Sequence, residues 1–410
     1  MTLVDDSKHG GVHRQGVRPR TAEPGRYQEL EVIVKLTERC NLACSYCYYF
    51  FGGDESYRHR PPLMSAEIAE EAAKFLAQGV SAMGIPSVKL VFHGGEPLLQ
   101  KPAAFDAICQ SFRRHLEGLA QVRMFVQTNG TILSNNWMDV FVRHQVNVCV
   151  SMDGDRAVHD EYRYDKKGRG SFDKIESNLK VLQMRSLESP EHLCLSPSVL
   201  LVLRAGVDYR RVFNYLVDDL GIEDVNVLLP DCSHDEGIPD GRAASEYGEI
   251  LCTLYEAWAE RPHVRFREVA ELFRHFEVRG WHRPTSARNP VLIIQSDGDL
   301  TIDDSFMPAR RWRSSMPTSN ISDISLQDWF SHPIFQQIET AVDAIPQGCA
   351  ECEWQKVCRG GALENRFSSE REFDNPSIYC DALKAFYSTA VRHLVKSGYP
   401  AEHVCRVLDL

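Results

Sequence analysis

No stretch of the 410 residues reaches the roughly 18 uninterrupted apolar residues of a membrane-spanning helix, so no membrane span is expected. Nor is there an excess of positive charge. The 46 Lys and Arg stand against 57 Asp and Glu, a net charge of −11, which argues against general nucleic-acid binding because that needs a basic surface. The stretch Met1–Pro24 lacks the apolar core of an export signal and reads as a flexible polar tail. There is no internal repeat, no low-complexity segment, and no cysteine between residues 253 and 348. What is present is a globular composition, 43% hydrophobic and 25% charged, enough for two or three domains. Thirteen cysteines without an export signal point to a reducing compartment, so a cytoplasmic protein is expected.

Those cysteines are clustered. Cys40, Cys44 and Cys47 have the spacing C-x3-C-x2-C and follow an apolar run, Leu30 to Leu36, that reads as a strand. Three thiolates on one short loop can hold three irons of a cubane cluster and leave the fourth iron open to a substrate or cofactor. Zinc with a distant fourth ligand, or simply reduced thiols, are the alternatives for the bare spacing. Cys349-x2-Cys352-x5-Cys358, followed by Cys380, forms the second group, and it also fits structural zinc. The scattered Cys109, Cys149, Cys194, Cys232, Cys252 and Cys405 are expected to be small buried apolar residues.

Strands and helices alternate from about residue 29 to 230. Leu30–Leu36, Val88–His93, Val122–Gln127, Val146–Ser151, Leu193–Leu203 and Asp224–Leu229 read as strands covered on both faces. The segments Ser65–Ser81, Pro102–Leu119, Ser134–His144, Ser171–Arg185 and Asp208–Leu220 between them read as helices, with Ser65 as an N-cap. Six such units imply a parallel α/β sheet with right-handed crossovers, whose ligands gather at the carboxyl ends of the strands. Residues 242–281 read as a helical bridge, Ile294–Ile302 as a hairpin turning at Asp297-Gly298, and Asp381 to Lys396 as a last helix.

The cysteine triad with Tyr46 before its third member, and the segment Phe92-His93-Gly94-Gly95-Glu96-Pro97 downstream, resemble the radical S-adenosylmethionine (radical SAM) superfamily. The resemblance implies a partial (β/α)6 TIM barrel, with SAM bound to the open iron of a [4Fe-4S] cluster and cleaved by one electron to a 5′-deoxyadenosyl radical. It implies further that Tyr46 covers the cluster and that Gly94 and Gly95 allow close approach of the methionine end. Glu96 would receive the ammonium group, Ser151 the ribose or carboxylate, and Thr128 and Asn129 would be polar contacts near the cofactor. His159-Asp160-Glu161-Tyr162-Arg163 follows a Ser-x-Asp-Gly element, as in radical SAM peptide-modifying enzymes, where an arginine like Arg163 pairs with the SAM carboxylate. For Arg163 the alternative is a solvated loop arginine, and for Thr128 and Asn129 a turn.

The second cysteine group resembles the SPASM domain, a C-terminal extension that usually carries seven cysteines and two auxiliary clusters. Ala362 stands where a full SPASM domain has a further cysteine, and the upstream cysteines are missing. The resemblance therefore implies one auxiliary [4Fe-4S] cluster on Cys349, Cys352, Cys358 and Cys380, and two clusters in all. The expected organisation is a tail at 1–28, a radical SAM core at 29–235, a helical bridge at 236–289 and a SPASM-like domain at 290–410. Residues 1–28 are expected to be too short for a separate leader-binding domain.

Two phrases, Cys352–Gly361 with Arg366-Phe367 and Tyr162-Arg163-x4-Gly168–Asp173, resemble a subgroup that matures ribosomally made precursor peptides, many of whose members form cyclophanes. The implied reaction joins an aromatic ring carbon to a Cβ. Asp303 or Asp304 would serve as the base, the alternative being that both are turn and surface acids. Other expectations are thioether or formylglycine formation, or a non-catalytic metal-binding scaffold. The implied partners are a precursor peptide and a one-electron reductant such as a flavodoxin or ferredoxin.

Overall fold

The computed structural model describes residues 27–276, 289–316 and 318–410. The stretch Met1–Pro24 and the end of the expected bridge, 277–288, lie outside the described residues. Six strands lie side by side and parallel in sequence order: β1 (Leu30–Thr37), β2 (Ser87–Gly94), β3 (Gln121–Thr128), β4 (Val146–Ser151), β5 (Ser198–Val202) and β6 (Asp224–Leu228). Alternate side chains of these strands, among them Val32, Val34, Leu90, Val126, Val148, Val199 and Val225, are buried. Each such side chain stabilises the fold by about 1.5–3 kcal/mol. Crossover helices cover the sheet. The helix Ala66–Met83 starts where the Ser65 hydroxyl accepts a hydrogen bond from the Ile68 N–H at 3.3 Å, and it buries Ala69, Ala72, Ala73 and Leu76. This is the expected partial barrel.

The edges of that barrel differ from the expectation. The hairpin strand β8 (Val291–Ile294) pairs in parallel with β1, so the hairpin, completed by β9 (Asp299–Thr301) and β10 (Ser319–Asn320), extends the barrel sheet. At the far edge a two-residue strand, β7 (Arg265–Phe266), pairs with β6 inside the segment read as all helix. The result is one ten-stranded sheet.

Two helical boundaries also shift. Leu193–Leu195, read as the start of a strand, belong to a 3-10 turn, Pro190–Leu195, that Ser189 caps, leaving only five residues to β5. The helix Tyr209–Asn214 continues as a π-helical turn, Tyr215–Asp219. The long helix Cys380–Lys396 packs against the bridge helix Ala244–Ala259 and is followed by Ala401–Leu408. Among the described residues no helix is long and apolar enough to cross a membrane.

Candidate active site and metal centres

The cysteine loop leaves β1 at the carboxyl edge of the sheet, and the turns after β2, β3 and β4 open onto the same edge. The approach of the first two turns is close. Gly94 has φ +131°, and a Cβ there would lie 2.2 Å from the Thr37 carbonyl oxygen; one on Gly95 would lie 2.3 Å from that of Arg39. The Gly95 N–H donates to the Thr37 carbonyl and the Glu96 N–H to the Arg39 carbonyl, both at 2.9 Å. The glycine pair therefore seats the base of the cysteine loop.

Glu96 is fully buried, and both its oxygens accept protein hydrogen bonds. They come from the Leu98 N–H at 3.0 Å, the Thr128 hydroxyl at 2.7 Å and the Asn129 N–H at 2.7 Å. Burial pushes its carboxyl up to about 7. Glu96 thereby ties the β2 turn to the β3 turn. Thr128 is part of that tie. Asn129 reaches the triad, with its amide 3.7 Å from the Cys40 sulfur and 2.9 Å from the Asn41 side-chain oxygen. Ser151, at the end of β4, accepts from the Gln127 amide at 2.8 Å.

Tyr46 and Arg163 share one partner that sequence reasoning missed. The Tyr46 hydroxyl donates to Asp153 at 2.5 Å, and Arg163 Nε donates to the same oxygen at 2.9 Å. The other Asp153 oxygen accepts from the Val202 N–H at 3.3 Å. Burial alone would raise this carboxyl, but Arg163 and Tyr46 outweigh it and hold Asp153 below the ordinary range. Arg163 is buried, not a solvated loop residue. Its terminal guanidinium nitrogens make no hydrogen bond to the described residues, so they stay available to a carboxylate. His159 sits beneath, its Nε2 3.0 Å from the Ser171 hydroxyl, which donates to the Arg163 carbonyl at 2.9 Å. Burial lowers this imidazole to about 4 and keeps it neutral.

The residues of the triad loop suit a metal cluster. The Leu42 N–H points at the Cys40 sulfur at 3.4 Å, and the Asn129 amide adds a second donor. Burial pushes the Cys40 thiol up to about 12 and Cys44 up to about 11, so a bound cation's charge is what would make them thiolates at neutral pH.

Cys349, Cys352, Cys358 and Cys380 line one small cavity with Trp354, Tyr387 and Lys384. Among the described residues no three His, Cys, Asp or Glu side chains converge around a single point. The Trp354 indole N–H is buried beside this cavity without a partner, a donor that a sulfur-rich group could use. The quartet thus fits a cluster with four protein ligands. Of the scattered cysteines, Cys109, Cys194 and Cys232 are buried as expected, Cys149 and Cys252 are half-buried, and Cys405 is exposed, which corrects the reading for that residue.

Asp303 and Asp304 are not surface acids. Asp304 is buried, and its carboxylate takes the Lys35 ammonium at 2.5 Å and the Tyr48 hydroxyl at 3.3 Å, with Arg313 at 3.6 Å. Burial would raise it, but Lys35 and Arg313 hold it below the ordinary carboxylate range. Lys35 is itself fully buried within β1 and lies 3.2 Å from His93 Nδ1. Asp303 caps the next turn through the Ser305 N–H at 3.0 Å, and burial raises its carboxyl. Burial, with Glu364 and Asp303 nearby, lifts Asp231 to about 7, and burial lifts Glu364 to about 7. Asp231 and Glu364 line a cavity of about 470 Å³ that also holds Ala362 and Cys358. These two acids and Lys35 had no sequence signal; only the fold brings them to the mouth.

The radical SAM superfamily model matches residues 34–195. The chain is 25% identical over 352 residues to a serine-type anaerobic sulfatase-maturating enzyme of Bacteroides thetaiotaomicron, covering 80% of this chain and 81% of that one. It is 23% identical over 378 residues to a cysteine-type anaerobic sulfatase-maturating enzyme of Clostridium perfringens, covering 89% and 97%. Among solved structures, native anSMEcpe with bound AdoMet superposes with a TM-score of 0.74 at 21% identity, covering 90% of this chain and 98% of that chain. The superfamily match takes in the cysteine triad and the Gly94-Gly95-Glu96-Pro97 turn, and the fold of the same residues agrees with it: residues 34–195 match the radical SAM superfamily.

Proposed function

We propose that the enzyme oxidises a side chain of a peptide or protein segment held at the mouth of the barrel, beginning with loss of a hydrogen atom from a Cβ. The observation that carries this reading is the match over nearly the whole length, C-terminal module included, to enzymes named for maturing sulfatases. A structural neighbour with a TM-score of 0.73 was solved with AdoMet and a peptide. The first reading is therefore oxidation of a Cys or Ser side chain of the formylglycine type. The second is a cyclophane crosslink, favoured by Ala362 in place of a SPASM cysteine and by acids, not cysteines, on the hairpin.

Cys40, Cys44 and Cys47 would hold the SAM-binding cluster, and Cys349, Cys352, Cys358 and Cys380 the auxiliary one. When bound, these groups and SAM supply a hydrogen-abstracting carbon radical and an electron acceptor. Arg163, fixed by Asp153, would receive the SAM carboxylate, and Tyr46 shields the loop. Gly94, Gly95 and Glu96 hold the loop in place, and Thr128, Asn129 and Ser151 complete the polar wall. Asp304 is ionised, fixed by Lys35 and close to Tyr48 of the cysteine loop, so it can accept the proton that oxidation releases. Asp303, whose carboxyl is raised, is the neighbouring acid and not the primary base.

The test is co-expression with neighbouring small open reading frames or sulfatase-type peptides, followed by mass spectrometry. An aldehyde captured by a hydrazide reagent supports the first reading; an oxidised, hydrazide-silent peptide with altered fragmentation supports the second. Asp304→Asn is expected to keep SAM cleavage and to lower product formation about 10²–10⁴-fold. Unmodified peptide in every case, with 5′-deoxyadenosine still formed, would overturn the proposal.

A further inference from the structure

The carboxyl edge of β5 ends in Arg204, and nothing so far gives this residue a task. Its guanidinium lies 4.3 Å from the centre of the Tyr46 ring and 5.4 Å from that of Tyr162. The side chain is half-buried, and its Nε is buried without a hydrogen-bond partner. The main chain is pinned, because the Arg204 N–H donates to the Tyr209 hydroxyl at 2.6 Å. Glu161 and Asp240 act on Tyr162, yet neither forms an ion pair with Arg204 among the described residues.

The contrast with Arg163 is informative. Both guanidinium groups lie near the Tyr46 ring, Arg163 at 5.3 Å and Arg204 at 4.3 Å from its centre, and Asp153 holds the Tyr46 hydroxyl. Asp153 is already committed to Arg163, Tyr46 and the Val202 N–H. Among the described residues Arg204 thus has no ion-pair partner, in a chain of net charge −11, beside the Tyr46 ring of the cysteine loop. Partly buried charge without a counter-ion is destabilising. Tyr46 and Tyr162 lie on one side of the guanidinium, their ring centres only 6.3 Å apart, and the planar guanidinium fork has the shape that takes a carboxylate.

We propose that Arg204 is the receiving group for a carboxylate that enters the mouth with the reacting molecules. The source is either the peptide, through an acidic side chain or a free C terminus, or SAM, whose single carboxylate Arg204 would then share with Arg163. Only the peptide source rests on the function proposed above.

The experiment uses the full chain with its clusters reconstituted anaerobically, as wild type, Arg204→Gln and Arg204→Lys. SAM affinity is measured by calorimetry. Peptide affinity is measured by fluorescence anisotropy on synthetic peptides, each paired with its Glu→Gln and C-terminal amide twins. If the peptide is the source, Arg204→Gln leaves SAM affinity unchanged and abolishes the roughly tenfold or greater preference for acidic over neutral twins. If SAM is the source, its affinity falls about tenfold or more and peptide preference does not change. In either case Arg204→Lys is intermediate, and the ligand-free melting temperature of Arg204→Gln is equal or higher. A lower melting temperature with both affinities unchanged would mark a merely structural arginine and overturn the inference. Unchanged SAM affinity with no acidic preference in the wild type overturns it too. A wild type that binds SAM but none of the peptides removes the peptide reading and leaves the SAM measurement to decide.

Discussion

The two cysteine groups use the same ligand chemistry in opposite surroundings. The triad sits on a loop at the mouth of the barrel among charged and polar groups: Asn129 against a sulfur, and Asp153, Arg163 and Tyr46 around the loop. The quartet sits in a small enclosed cavity walled by Trp354 and Tyr387, with Lys384 as its charged neighbour. As cluster ligands, three thiols with a polar wall would leave a coordination position and a place for a charged cofactor, and four thiols with an aromatic wall would leave neither. What separates a reactive centre from an electron-handling or structural one is thus the number of thiols and the polarity of what packs on them.

Alanine substitutions should expose that difference most sharply. Cys44→Ala is expected to lower 5′-deoxyadenosine formation by more than about 100-fold, measured with dithionite as reductant. Cys358→Ala should leave SAM cleavage within about threefold, because the two groups share no hydrogen-bond or charge partner among the described residues. It should also reduce the iron content from about eight to about four atoms per chain. About twelve irons in the wild type would instead demand a third cluster.

A second pair of substitutions compares the walls. Asp153→Asn strands Arg163 in a buried site, and a broken buried ion pair costs about 3–5 kcal/mol. The expected result is a melting temperature lower by roughly 5–10 °C, with weaker SAM binding. Tyr387→Phe, beside the quartet, removes only a hydroxyl that meets the Cys358 sulfur. Its cost should stay near 1 kcal/mol with SAM affinity unchanged. Equal losses in the two variants would erase the distinction between a charged and a neutral wall.

A further effect, confined to one pH range, concerns the cavity beside the quartet. Burial raises Glu364 to about 7, above the roughly 4.3 of an unfolded glutamate. The folded protein then binds more protons than the unfolded chain between those values, so this group's contribution to stability falls as pH rises through that window. Glu364→Gln does not titrate. It should melt a few degrees higher than the wild type at pH 8, by about 1–3 kcal/mol, and no higher at pH 4. A gain that does not depend on pH would show that Glu364 is not a strained buried acid.

Much of this was readable along the chain. The strands announced themselves as Val- and Leu-rich runs, and β4 matches the expected Val146–Ser151 at both ends. The hairpin turn at Asp297-Gly298 was legible from local chemistry, but its pairing with β1 was not, because a strand's partner across more than 250 residues leaves no local mark. The residues of the site divide in the same way. Tyr46 and Arg163 were found through their motifs, while Asp153, which fixes both, was passed over as part of a turn. Lys35 interrupts an apolar strand, and only the fold shows that Asp304 meets it from 269 positions away.

By itself the sequence determined the chemistry: which thiols cluster, how many there are, and that they follow a strand in a parallel α/β chain. Spacing along a loop and periodicity along a strand are local properties, and local geometry sets them. The tertiary structure decided which acid is charged, which arginine is committed to a partner and which is left over, and how the hairpin closes onto the barrel. Burial and pairing depend on what arrives from elsewhere in the chain, and a charge's energy is set by those neighbours.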